Sequence, residues 1–107
     1  MFGLLKRMFD RPSEMALIET IKDGAVLVDV RNTEEFSTGN IKGSINIPLD
    51  QISGQIGKLK KNKTIVVFCA SGMRSGRAKS ILEENGFQNV INGGGWRNVL
   101  SAIENNR

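Results

Sequence analysis

The sequence predicts an α/β fold in which a central, mostly parallel sheet is covered by helices on both faces. Short apolar runs rich in β-branched residues alternate along the chain with segments of helical spacing. Two of those runs, Ala25-Val-Leu-Val-Asp-Val30 and Thr64-Ile-Val-Val-Phe68, are almost unbroken, as strands buried on both faces are. The 107 residues suit one domain, and 39% hydrophobic with 24% charged residues suit a packed core rather than disorder.

The elements follow in order. Residues 1–12 read as an N-terminal arm, in which Phe2, Leu4, Leu5, Met8 and Phe9 surround Lys6 and Arg7; residues 13–107 read as the domain. Ser13 followed by Glu14 marks a capped helix start, Met15, Leu17, Ile18 and Ile21 form its apolar face, and Gly24 ends it. The first strand is 25–30. Asn32 caps a short helix with acids in its first turn. Ser44-Ile-Asn-Ile-Pro48 is a brief strand stopped by proline. Leu49, Ile52, Ile56 and Leu59 recur at helical spacing, although Gly54 and Gly57 each weaken an α-helix by about 1 kcal/mol. The clearest strand is 64–68. A helix over Ser75–Asn85 turns Ala78, Ile81 and Leu82 inward. A short strand spans 89–91, Gly93-Gly94-Gly95 reads as a loop, and Trp96, Val99, Leu100 and Ile103 mark a C-terminal helix.

Composition removes whole classes of chemistry. There is no histidine, hence no Ser-His-Asp triad, no Cys-His dyad and no histidine metal site. One cysteine makes neither an internal disulfide nor a zinc cluster. Net charge is +4. The densest basic run, Lys58-Leu-Lys-Lys-Asn-Lys63, has no interleaved aromatics and reads as a solvated helix end rather than a nucleic-acid surface. No apolar run approaches the roughly 20 residues of a membrane span, and the N-terminus lacks a signal-peptide layout. The expected compartment is the cytoplasm, where a lone thiol stays reduced.

The informative segment is Cys69-Ala-Ser-Gly-Met-Arg-Ser75, set between the best strand and a helix. Parallel α/β sheets bind ligands beyond the carboxyl ends of their strands. A loop wrapping into a helix N-terminus turns backbone N–H groups inward and forms an anion-binding nest. Gly72 allows the dihedrals this wrap needs, and Arg74 offers a planar fork suited to oxyanions. The same field lowers a thiol from its ordinary value near ~8.5, so Cys69 is expected to be substantially thiolate at neutral pH. Two orientations are open to Met73, an apolar wall toward the donor or solvent. Ser75 either adds a hydroxyl to the loop or caps the next helix. Arg77 and Lys79 make either a basic rim or a plain solvated face.

This loop resembles the active-site loop of single-domain rhodaneses, a class of sulfurtransferases. Leu27-Val-Asp-Val-Arg31, Gly39-Asn-Ile-Lys-Gly-Ser-Ile-Asn-Ile-Pro48 and Gly93-Gly-Gly-Trp96 resemble that family's other motifs in the same order, so the likeness covers about residues 13–104. The resemblance implies a rhodanese-like three-layer α/β/α domain without metal or organic cofactor. It implies that Cys69 attacks an anionic donor such as thiosulfate and carries a persulfide bound by Ala70, Ser71, Gly72, Met73, Arg74 and Ser75. The acceptor is then cyanide in an assay, or a thiol or thioredoxin-like protein in the cell. Asp29 and Arg31 are expected to support the loop structurally. Asn40 stands where the family often has histidine, as a local hydrogen-bonding element. Trp96 is either core packing or a wall near the Cys69 pocket. Two other functions stay open. One is a non-catalytic interaction module; the other is a phosphatase or arsenate reductase, against which the short spacing from Cys69 to Arg74 and the missing histidine count.

Overall fold

The computed structural model describes residues 12–105. The reading of an N-terminal arm therefore falls, all but its last residue, outside the described residues. The elements run α1 (Glu14–Lys22), β1 (Val26–Asp29), α2 (Thr33–Thr38), β2 (Ile45–Asn46), the 3-10 helix η1 (Leu49–Lys58), β3 (Ile65–Cys69), α3 (Met73–Glu84), β4 (Val90–Gly95) and α4 (Trp96–Glu104). Ser13 caps α1, its side chain accepting from the Ala16 N–H at 3.1 Å. Asn32 and Glu35 close a reciprocal capping box on α2, with bonds of 2.8 and 3.0 Å.

All strand pairs are parallel, in the order β2-β1-β3-β4. The period-2 alternation of β3 splits the core into two layers. Ile65, Val67 and Cys69 face one side with Ile52 of η1 and Ala78 and Leu82 of α3. Val66 and Phe68 face the other with Leu17 of α1 and Val99 and Ala102 of α4. The result is a three-layer α/β/α domain. No described helix is long and apolar enough to cross a membrane.

Three local readings are corrected. The segment 49–58 is a 3-10 helix, not an α-helix: its Gln51 and Leu59 N–H groups bond three residues back, to Pro48 and Ile56. Two glycines among ten residues remove the propensity that would favour the wider α spacing. Helix α3 starts at Met73 with Gly72 as its cap, so Ser75 lies within the first turn and caps nothing. The three glycines are not a loop but the end of β4. The register shifts there by one residue, Val67 pairing with Asn92 and Phe68 with Gly94, which leaves Gly93 as a bulge. A Cβ on Gly93 would meet Val99 and Val66 at 2.7 and 2.9 Å, so the backbone approaches that layer as no other residue could.

Candidate active site

The order of the sheet changes direction between β1 and β3, and the crevice beyond their carboxyl ends is where open α/β sheets bind ligands. Cys69 is the last residue of β3, and Asp29 is the last of β1. The chain leaves Cys69 through Ala70 and Ser71, turns at Gly72 with φ +100°, and enters α3. That left-handed conformation, which side-chain-bearing residues rarely adopt, aims the first amides of the helix back at the sulfur. The Gly72 N–H donates to Cys69 Sγ at 3.0 Å and the Ser75 N–H at 3.4 Å. The thiol lies 3.6 Å from Ser75 Oγ. Ala70, Ser71 and Met73 are exposed on the outer rim.

The sulfur is fully buried. Burial alone raises a thiol's pKa, and it is the largest single influence on Cys69. The Ser75 hydroxyl and the amides of Ser75, Ser71 and Gly72 act in the opposite sense and together prevail, so Cys69 is drawn below the ordinary thiol range. These groups converge on the Cys69 sulfur itself.

Arg74 stands in the first turn of α3, close enough to Cys69 for the two charges to interact. Its fork grips the Glu35 carboxylate of α2, at 2.7 and 3.0 Å. The pair holds Glu35 down at about 2 and raises Arg74 above its ordinary value. Arg74 and Arg77 also line a cleft of about 670 Å³ beside the loop, with Pro48, Leu49 and Asp50 opposite. Among the described residues no group of three or more His, Cys, Asp or Glu side chains is placed to hold a metal.

The rhodanese-like domain family matches residues 14–102. The chain belongs to that family. The thiosulfate sulfurtransferase PspE of Escherichia coli (strain K12) is 39% identical over 74 residues, covering 67% of this chain and 71% of the relative. A tRNA uridine(34) hydroxylase of Buchnera aphidicola is 37% identical over 90 residues, covering 76% of this chain and 29% of the relative. Two Bacillus subtilis relatives are matched over 54% and 36% of their lengths, so the chain spans about half or less of several relatives. The crystal structure of a rhodanese-related protein from Thermoplasma volcanium superposes with a TM-score of 0.72 at 32% identity, over 91% of this chain and 93% of the other.

In this rhodanese-like domain Asp29 and Arg31 form a buried ion pair, with both carboxylate oxygens engaged at 2.8–3.0 Å. Arg31 also donates to the carbonyls of Glu35 and Gly39 and stacks on Trp96, its Cζ 4.6 Å from the ring centroid. Trp96 is held between Arg31 and Arg97 and packs on the Val66–Phe68 layer, the face opposite Cys69. It is a packing residue and does not wall the thiol. Asn40 Nδ2 donates to the Phe36 carbonyl, the local role expected of it. Asn92 was not singled out from the sequence. It is buried, lies 2.6 Å from Ser75 Oγ and receives the Gly94 N–H at 2.9 Å. A polar side chain directly after the apolar strand residues Val90 and Ile91 is the signal that marked it.

Proposed function

We propose that the chain is a sulfurtransferase that carries sulfane sulfur as a persulfide on Cys69. The observation that supports this most directly is the convergence of the Gly72 and Ser75 amides on one sulfur at the start of a helix. Such donors stabilise the attacking thiolate and equally the terminal sulfur of a persulfide anion. The sulfurtransferase named among the relatives points the same way.

The Cys69 thiolate attacks the outer sulfur of thiosulfate. The new S–S bond forms as the bond to the sulfonate sulfur breaks, and sulfite leaves with that electron pair. The persulfide carries the single negative charge the thiolate had. Cyanide, or an acceptor thiolate, then attacks the terminal sulfur and returns Cys69 to thiolate. This is covalent catalysis in two halves, with ping-pong kinetics. No proton moves in the cyanide reaction, so the lack of histidine costs nothing. The sulfur is buried, so a donor reaches it only as its cover opens. Arg77 beside the loop attracts anions, whereas Arg74 is largely neutralised by Glu35.

Intact-mass measurement after exposure to thiosulfate tests the reading. The expected gain is one sulfur, about 32 Da, reversed by cyanide and absent in Cys69→Ser. A folded wild-type chain that gains no mass, or a gain that survives Cys69→Ser, overturns it.

A further inference from the structure

Among the described residues four polar or charged side chains are buried: Asp29, Arg31, Ser75 and Asn92. The first two pair with each other. The second two lead from β4 to the sulfur. Asn92 pairs with Val67 in the register and so shares the sheet face that carries Cys69. Ser75 Oγ stands 2.6 Å from Asn92 Oδ1, 3.1 Å from the Gly72 carbonyl and 3.6 Å from Cys69 Sγ. A hydroxyl has one proton to give, so these three acceptors compete for it.

With Cys69 protonated, the S–H donates to Ser75 Oγ and the O–H donates onward to Asn92 Oδ1. With Cys69 ionised, the sulfur is itself an acceptor, and the same hydroxyl turns toward it. The arrangement makes that exchange cheap. Asn92 Oδ1 keeps the Gly94 N–H, which the β4 bulge delivers at 2.9 Å, and Nδ2 still donates to the Gly72 carbonyl at 3.3 Å. These two bonds also fix which way the amide faces, since an N–H of Gly94 requires the oxygen.

We propose that Asn92 is a positioning residue for Cys69: its side-chain oxygen holds the Ser75 proton while the sulfur is protonated and yields it when the thiolate forms. This rests on the reading of Cys69 as the reacting sulfur. Asn92 thus favours the thiol side of the equilibrium, against the amides that favour thiolate. The charged groups around the site are Arg74 with Glu35 of α2, and Asp29 at the end of β1 with Arg31 just after it. Neither pair includes Asn92 or Ser75.

The test is the pH dependence of iodoacetamide alkylation, read without any sulfur donor. In Asn92→Leu the midpoint falls, and the thiolate fraction below it rises about 3- to 10-fold, the worth of one buried hydrogen bond. Ser75→Ala moves the midpoint up. In the Ser75→Ala background, Asn92→Leu has no further effect. A merely structural role for Asn92 would loosen the nest and raise the midpoint, with or without the hydroxyl; that result overturns the proposal. Should Asn92→Leu fail to fold, Asn92→Ser gives the same reading, because its shorter side chain can serve Gly94 but falls short of Ser75. Mass gain from thiosulfate is measured on the same samples. A midpoint that shifts as expected in a chain that never gains sulfur overturns the sulfurtransferase reading alone. A normal sulfur gain with an unmoved midpoint overturns the role of Asn92 alone.

Discussion

Glu35→Gln isolates the charge that links α2 to the sulfur loop. Glutamine keeps an oxygen for the Asn32 N–H, so the capping box survives, but it cannot form the charged fork with Arg74. The Arg74 hydrogen bond is the largest influence on Glu35, with burial opposing it and the Asn32 amide and the charges of Arg74 and Arg31 assisting. The carboxyl falls from 4.5 to about 2. At face value a change of that size is worth about 3 kcal/mol. About a third of each partner's side chain lies in water, where screening and side-chain entropy reduce such a pair to about 1 kcal/mol or less. The sign follows from linkage. A carboxyl whose folded value is depressed contributes stability that is present above its unfolded value and lost as pH falls through the folded one. Wild type should therefore exceed Glu35→Gln by about 1 kcal/mol at pH 7. The gap should begin to close near 4.5 and vanish near about 2, the carboxyl's own range. Urea denaturation at a series of pH values reads this directly. A gap that is absent at pH 7, or equally wide at pH 7 and in strong acid, would refute the reasoning.

Two further outcomes follow from the geometry. Asp29→Ala leaves the buried Arg31 guanidinium without its carboxylate and should cost about 3–5 kcal/mol in denaturant unfolding, with a loss under 1 kcal/mol showing that water replaces the pair. The amides acting on Cys69 are buried dipoles at 3.0 and 3.4 Å, so raising salt from 0.05 to 1 M should move its alkylation midpoint by less than about 0.2 pH units, whereas a large upward movement would mean that exposed charges set it.

The layers of this domain were legible because they rest on local periodicity. The unbroken apolar run 65–69, short and rich in β-branched residues, reads as a strand covered on both faces, and its alternate residues do enter the two layers. The position of Cys69 followed from the same reasoning, since a strand end before a helix is a place and not a contact. What sequence could not show were choices among partners. Arg74 has no acid near it along the chain, and Glu35, 39 residues away, is brought to it by where α2 packs. Arg31 turns back to Asp29, two residues earlier at the end of β1, and both are buried there. The glycines 93–95 misled for a different reason. Glycine favours loops by backbone freedom, but here it is required by close approach, Gly93 against Val66 and Val99, and Gly95 with a notional Cβ 3.0 Å from the Ala70 carbonyl.

That close approach bears on the chemistry. A β4 backbone held against the β3–α3 loop brings Gly94 and Asn92 to the same end of the sheet as Cys69. The nest is therefore braced from two sides, by the first turn of α3 and by the bulge of β4. A loop braced only by its own helix would let water in as it opened. Water would solvate the thiolate and remove the need for converging amides. Here the largest influence on the sulfur is burial, which favours the neutral thiol, and the donors of Ser75, Ser71 and Gly72 must exceed it. Their excess decides the state of Cys69, and it persists only while the brace keeps those donors aimed. Arg74, paired with Glu35, fastens the loop to α2. The guanidinium thus anchors the site, while the Ser75 hydroxyl and the amides of Ser75, Ser71 and Gly72 draw the thiol down.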